Sequence, residues 1–599
     1  MSYHFQVRPQ DKYKSRVCAP RNPCAPHLIH NWCKPRVCKR SHPCGVSPFS
    51  SVSHTRALDP RAMTASTSEN TPLLGHQAQR QIPSSSSADR LTRASSSSRT
   101  FVDCSDYGSE TETNYGSDSN TECPTDIEAD LDVKAAYWQE LRILTSSAIP
   151  VFGTYLLEYS LVMASVVSIG HISTEALAAI TLGSMTANVS GFSVLQGLSA
   201  ALDTMLPPAW TSPQPQLVGL WTQRMMFVAL IALIPMFGIW FNAEAILLAL
   251  KQDPEVARLA AVYLKWASLG LPAYAFNCIS RRYFQCQGYF AVPTQIVVFV
   301  APINIALNYL LVWGPDPLRL GFIGAPIATA ISFNLISLLS FAYGVFLIPR
   351  TAWSPLSMKI FTNLGVLVRL GLAGVGQTAT EWWAWELAGL AASLLGPVTL
   401  AAQSVLIVSS SCTYQAPYAL SVATSVRIGN LLGEFKARRA AISARTALMM
   451  GLVMAAFMST LFILLRRTIG RLFNDDEEVI SLVASIIPLV ALYQVFDFES
   501  AIASGVLRAC GKQAISALYN VIGYYVIGVP LGILLAFPLK MDLFGIWIAL
   551  TIALVWDASC GLWISLRTDW DKEISKVLER LEDDPEQNHK KSDPECPSI

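Results

Sequence analysis

The chain has 599 residues, of which 52% are apolar and only 15% charged, with a mean hydropathy of +0.37. A soluble protein of this length carries roughly a quarter charged residues, so a large soluble enzyme is excluded and a polytopic α-helical membrane protein is expected. The net charge of +1 comes with no basic domain, which leaves no basis for nucleic-acid binding.

Residues 1–135 read as a disordered cytoplasmic tail. They hold "SSSSADRLTRASSSS", many Pro and Thr, and few large aliphatics. Such a segment buries too little apolar surface to offset its ordering entropy. Cys18, Cys24, Cys33, Cys38 and Cys44 cluster at its start, at spacings that match no standard zinc pattern. No metal site is expected there, and Met63 offers an alternative start. "ENTPLL" has the form of an acidic dileucine sorting signal, with Glu69 as the acid and Leu73 and Leu74 as the anchor for an adaptor protein. "KAAYWQELRIL" (Lys134 to Leu144) reads as a short amphipathic approach to the bilayer, with Tyr137 and Trp138 at headgroup level.

From Ile143 onward about twelve stretches have the length and apolarity of spanning helices. The expected organisation is a first lobe over 136–349, a linker over 350–365, a second lobe over 366–568 and a cytoplasmic tail over 569–599. Lys and Arg cluster in the even-numbered connections: Arg281 and Arg282, Arg350 and Lys359, then Arg427, Lys436, Arg438 and Arg439, then Arg508 and Lys512. Arg466, Arg467 and Arg471 dissent. The balance places both termini in the cytoplasm. In the final tail, Ile574, Val577, Leu578 and Leu581 form one stripe of a short surface helix.

The chain repeats itself. Leu177 in "EALAA" matches Leu400 in "VTLAA", Glu255 in "QDPEV" matches Glu478 in "DDEEV", and Gly288 in "QCQG" matches Gly511 in "RACG", all at an offset of 223 residues. That offset spans six helices, an even number, so the halves run parallel. They should be related by an axis along the membrane normal, as in one class of secondary transporters. Two similar bundles rocking about a central cleft would give alternating access.

Few acids lie inside the spans: Glu158, then Glu381 and Glu386 in "EWWAWE", then Asp497 and Glu499, with Asp203 at the end of the second span. A mid-membrane carboxylate costs about 3 kcal/mol on insertion scales and by default marks an ion path. A carboxyl that can hold either a proton or an organic cation is antiport in its simplest form. Glu386 lies five residues beyond Glu381, about 140° round the helix, so the two do not share one narrow cleft. Trp385 is four residues from Glu381 and suits a flat cation through its ring face. Gln377, Gln403, Tyr414, Asn304, Asn308 and Tyr525 are polar candidates for the cavity wall, as are Gln415 and Asn520. Residues of this kind are more often hydrogen bonds between helices than ligand contacts.

"GFSVLQGLSAALDT", "QDPEVARLAAVY", "EWWAWE", "SVATSVRIGNLLG", "SGVLRACGKQ" and "NVIGYYVIGVPLG" resemble, in order, the motifs of the multidrug and toxic compound extrusion (MATE) family. The likeness covers about residues 140 to 568, in the eukaryotic branch with a fungal-type tail. It implies an all-α membrane protein, with twelve helices in two parallel six-helix lobes forming a V. It further implies an antiporter, not an enzyme, that expels organic cations or xenobiotics across the vacuolar or plasma membrane. By the resemblance Glu381, Glu386 and Asp497 are the ion-binding acids. It also implies coupling to a proton gradient rather than sodium, with no bound cofactor. Val408 stands where animal members carry a Glu, which detaches this chain from their substrate range. A major-facilitator transporter is rejected because "LDTMLPPAWTSPQPQ" follows the second span. A lipid-linked-substrate flippase would need basic residues in the cleft, and a membrane enzyme a cluster that lone His171 does not supply.

Overall fold

The computed structural model describes residues 132–170, 174–473 and 476–582. The cysteine cluster, Met63, His171 and the dileucine residues Glu69, Leu73 and Leu74 lie outside them. All regular structure among the described residues is helical. Twelve long helical segments run in chain order: α1 (Val133–Gly170), α2 (Glu175–Thr211), α3 (Leu217–Phe241), α4 (254–286), α5 (Ala291–Trp313) and α6 (Gly324–Phe346), then α7 (Leu364–Ser393), α8 (Pro397–Gly433), α9 (Ala437–Leu464), α10 (Glu477–Ala509), α11 (Gln513–Ala536) and α12 (Asp542–Leu566). Nine of these are long and apolar enough to cross a membrane. The other three, α4, α7 and α8, are long enough but carry buried polar side chains, among them Arg281, Gln377 and Gln403.

The internal repeat is written in the helix ends. Asp253 caps α4 by accepting the N–H groups of Glu255 and Val256 at 3.0 and 3.2 Å, with Pro254 following it. Asp476, 223 positions on, caps α10 by accepting the N–H of Glu478 at 2.9 Å. Both are strong N-caps because a short carboxylate reaches the unpaired first-turn donors. Gly288 and Gly511, the same distance apart, leave the matching turns with φ of 87° and 70°. Only glycine enters that region without strain. The two halves meet where α1 and α2 face α7 and α8. At Gly197 a Cβ would lie 2.5 Å from the Cα of Val375, so the α2 and α7 backbones touch directly.

Three local readings gain detail. The "KAAYWQELRIL" segment is continuous with α1, and its Glu140 is fully buried. The connection 350–365 packs on α3, where Arg224 donates to the Lys359 carbonyl at 3.2 Å and to Thr362 at 2.8 Å. The final helix, α13 (Trp570–Glu582), docks on protein, with Val577 packed in a cluster with Ile428, Leu431 and Val506. Two helices are wound into π segments, at Asn188–Phe192 in α2 and Ile522–Gly528 in α11.

Candidate ion and substrate site

Helices α7, α8 and α10 bring Glu381, Tyr414 and Asp497 to one small cavity. Its volume is about 20 Å³, room for one water-sized guest. Gln377, Trp382, Tyr418, Ser500 and Ser504 complete the wall, and Arg508 lies at the α10 end. Tyr414 neighbours Glu381, and Tyr493 neighbours Asp497. The two carboxyls act on one another electrostatically, and Arg508 acts on Glu381. Two acids in one membrane-embedded cavity cannot both stay ionised cheaply. A proton or a cation placed there would relieve the repulsion.

The other candidates divide. Gln377 donates to Ser516 at 2.7 Å from the cavity wall, and Tyr525 donates to the Thr380 carbonyl at 3.1 Å on the same helix, α7. Asn520 donates to the Gln377 carbonyl at 3.0 Å. Glu386 points elsewhere, to Asn188 in the π turn of α2. The indole beside Glu381 is that of Trp382. Trp385 packs instead with Tyr493 and Trp547, ring centres 5.5 and 5.8 Å away. Gln403 accepts from Trp547 at 2.9 Å within that same core. Asn304 and Asn308 lie in the first half: Asn308 donates to Asn304 at 3.1 Å and accepts from Ser165 at 3.1 Å. Asn308 also edges a groove of about 660 Å³ between α1 and α5, flanked by the exposed Ile305 and Tyr309. Glu499 sits against Gly451 of α9, with Oε1 unpartnered.

Glu158 is ion-paired. Arg281 Nη2 lies 2.7 Å from its Oε1, and the guanidinium stacks over Tyr155 at 4.9 Å. This and two further arrangements correct the sequence reading, because arginines counted there as loop charges are helical and paired with acids. Asp203 holds Arg282 at 3.0 Å and Arg508 at 3.5 Å, one from each half. Glu140 holds Arg427 at 2.6 Å and Arg439 at 2.9 Å. Thr204 donates to the Arg508 carbonyl at 2.6 Å and accepts from Gln513 at 2.7 Å. The pairs of Asp203 and Glu140 tie the two halves together at the end that carries the α2, α8 and α10 C-termini. One acid was missed altogether, Asp557 of α12; "LVWDASC" shows it as a lone carboxyl in a hydrophobic run.

The MatE family profile matches residues 150–310 and 375–534. The chain belongs to the MatE family. An uncharacterized transporter of Schizosaccharomyces pombe is 37% identical over 77% of this chain and 86% of its own length. The human Multidrug and toxin extrusion protein 1 is 33% identical over 73% of this chain and 76% of its own. The crystal structure of the eukaryotic MATE transporter AtDTX14 is 29% identical, covers 74% of this chain and 100% of that one, and superposes with a TM-score of 0.71. The protein is therefore a multi-pass membrane transporter, not an enzyme. In this MATE protein each half carries one family match, and the acid cavity lies in the second.

Proposed function

We propose that this transporter is an antiporter that moves organic cations or xenobiotics out of the cytosol in exchange for protons, by alternating access. The observation that carries the reading is the Glu381–Asp497 pair, two interacting carboxyls sharing one small cavity that ends at Arg508. Ion pairs drawn from both halves close one end of the molecule, as a two-state rocking cycle requires. The printed name of the human relative, a multidrug and toxin extrusion protein, supports the substrate class. With both termini cytoplasmic, the ion-paired end faces the cytosol. The protein would work in the vacuolar or the plasma membrane. The test is uptake of a fluorescent organic cation by liposomes holding the purified chain, under imposed pH and sodium gradients. Accumulation that follows pH supports the reading; accumulation that follows sodium and ignores pH refutes it.

A further inference from the structure

Asp557 lies near the middle of α12 and is only 1% exposed. Neither of its carboxyl oxygens has a hydrogen-bond partner among the described residues. It packs against the backbone of Gly523, in the π segment of α11, where a Cβ would collide with Oδ1 and come within 3.0 Å of Cγ. The helix is bare at the one point where the carboxyl enters. π segments of this kind recur at functional sites.

An ionised carboxylate without donor or counter-charge, at this depth, is costly; the neutral acid is far cheaper. A proton on the carboxyl removes that cost. Asp557 is not isolated. The ionisable groups acting around it are Glu381 of α7, Tyr519 and Tyr524 of α11, and Cys560 of its own helix. From α10, Tyr493 and Asp497 bear on Tyr524, which is thus in electrostatic reach of all three acids.

We propose that Asp557 is a third proton-holding carboxyl of the transporter, a reserve that exchanges its proton with the Glu381–Asp497 pair across Tyr524. Its part in the cycle rests on the proton-exchange reading above. When Glu381 is ionised, as beside a bound cation, its charge favours the neutral form of Asp557. The Asp557 proton passes to the Glu381 carboxylate, which becomes neutral as Asp557 becomes charged, and the reverse transfer restores Asp557 when a cation next binds at Glu381. The proton count of the three acids then changes together and not site by site.

The test is infrared difference spectroscopy of the full chain in liposomes as pH is stepped, with ethidium uptake measured on the same preparations. The wild type should show a protonated-carboxyl band that Asp557→Asn removes and Gly523→Ala displaces. The midpoint at which that band titrates should move in Glu381→Gln. Ethidium uptake driven by a pH gradient should fall about tenfold in Asp557→Asn. Carboxyl spectra in Asp557→Asn identical to wild type, an unmoved midpoint in Glu381→Gln, or full-rate uptake by Asp557→Asn would each overturn the inference. The wild-type band and the Gly523→Ala shift decide it even if Asp557→Asn folds poorly. If wild-type uptake follows sodium alone, the proton-exchange reading fails by itself, and the spectra still decide Asp557 by the same outcomes.

Discussion

Glu158 and Glu381 occupy the same position in the two halves, 223 residues apart, yet Glu158 holds Arg281 at 2.7 Å whereas Glu381 faces the cavity it shares with Tyr414 and Asp497. A guanidinium thus stands in the first half where a substrate cation would stand in the second. Tyr155 lies under that guanidinium at 4.9 Å, completing an internal cation site that Arg281 fills. The duplicated unit keeps its acid in both copies, and one copy is neutralised from within.

Breaking that pair should therefore damage stability before it damages coupling. Arg281→Met leaves Glu158 without its partner, which should cost about 3 kcal/mol or more. The double variant Glu158→Gln with Arg281→Met should recover most of it, since no orphan charge remains. Thermal unfolding of the purified variants reads both effects. A double variant as unstable as the single would contradict the pairing.

Glu381→Gln keeps the side-chain shape and loses the titration. Uptake driven by a pH gradient should fall at least about tenfold, with the protein still folded. Asp497→Asn should behave similarly, and the double variant should be no worse than either single if both serve one ion step. Strictly additive losses would mean that the two acids act independently.

Asp203→Asn removes the anion that holds Arg282 and Arg508 together across the halves. The closed end should open more often. Cys510 lies at that end, is buried, and follows Arg508 by two residues. Its labelling by a membrane-impermeant thiol reagent, read by mass spectrometry, should accelerate several-fold in the variant. Unchanged labelling would remove Asp203 from the closing contact.

Helix α13 fastens the same end. Glu573 holds Lys512 at 3.0 Å and Lys576 at 2.9 Å, and Arg580 donates to the Cys510 carbonyl at 3.2 Å. Val577→Asp places a charge in the cluster with Leu431 and Val506 and should lower the unfolding temperature by several degrees, about 2–3 kcal/mol. Glu573→Gln, at a buried acid beside two lysines, should have a smaller effect in the same direction. A Val577→Asp variant as stable as wild type would show that the helix is not docked in solution.

Stoichiometry is readable from energetics. One proton exchanged for one monovalent cation supplies about 1.4 kcal/mol per pH unit, a tenfold substrate gradient that membrane potential leaves unchanged. Two protons, for instance from Glu381 and Asp497 together, raise the limit to about a hundredfold and make it respond to voltage. Accumulation measured against pH and potassium-diffusion potentials separates the two.

Hydropathy, the 223-residue offset and the six motifs are properties of the chain read in order, and they determined the twelve helices, the two parallel halves and the family. Each depends only on neighbours in sequence: a run long enough to span, a cap before a turn, a glycine after it. Glu381 and Asp497 were legible for the same reason, as acids in apolar runs; Asp557 in "LVWDASC" carried the same signal. What the order of residues could not decide is which charge meets which. Arg281, Arg282, Arg427 and Arg508 look in sequence like cytoplasmic loop charges. In the folded chain they are paired to Glu158, Asp203 and Glu140 from helices that lie from 79 (Asp203 to Arg282) to 305 (Asp203 to Arg508) positions away. Trp385 shares a nominal face with Glu381, and only packing against Tyr493 and Trp547 turned it into the core and left Trp382 at the cavity. A charge in lipid takes its meaning from the group beside it, and that neighbour is chosen by tertiary contact.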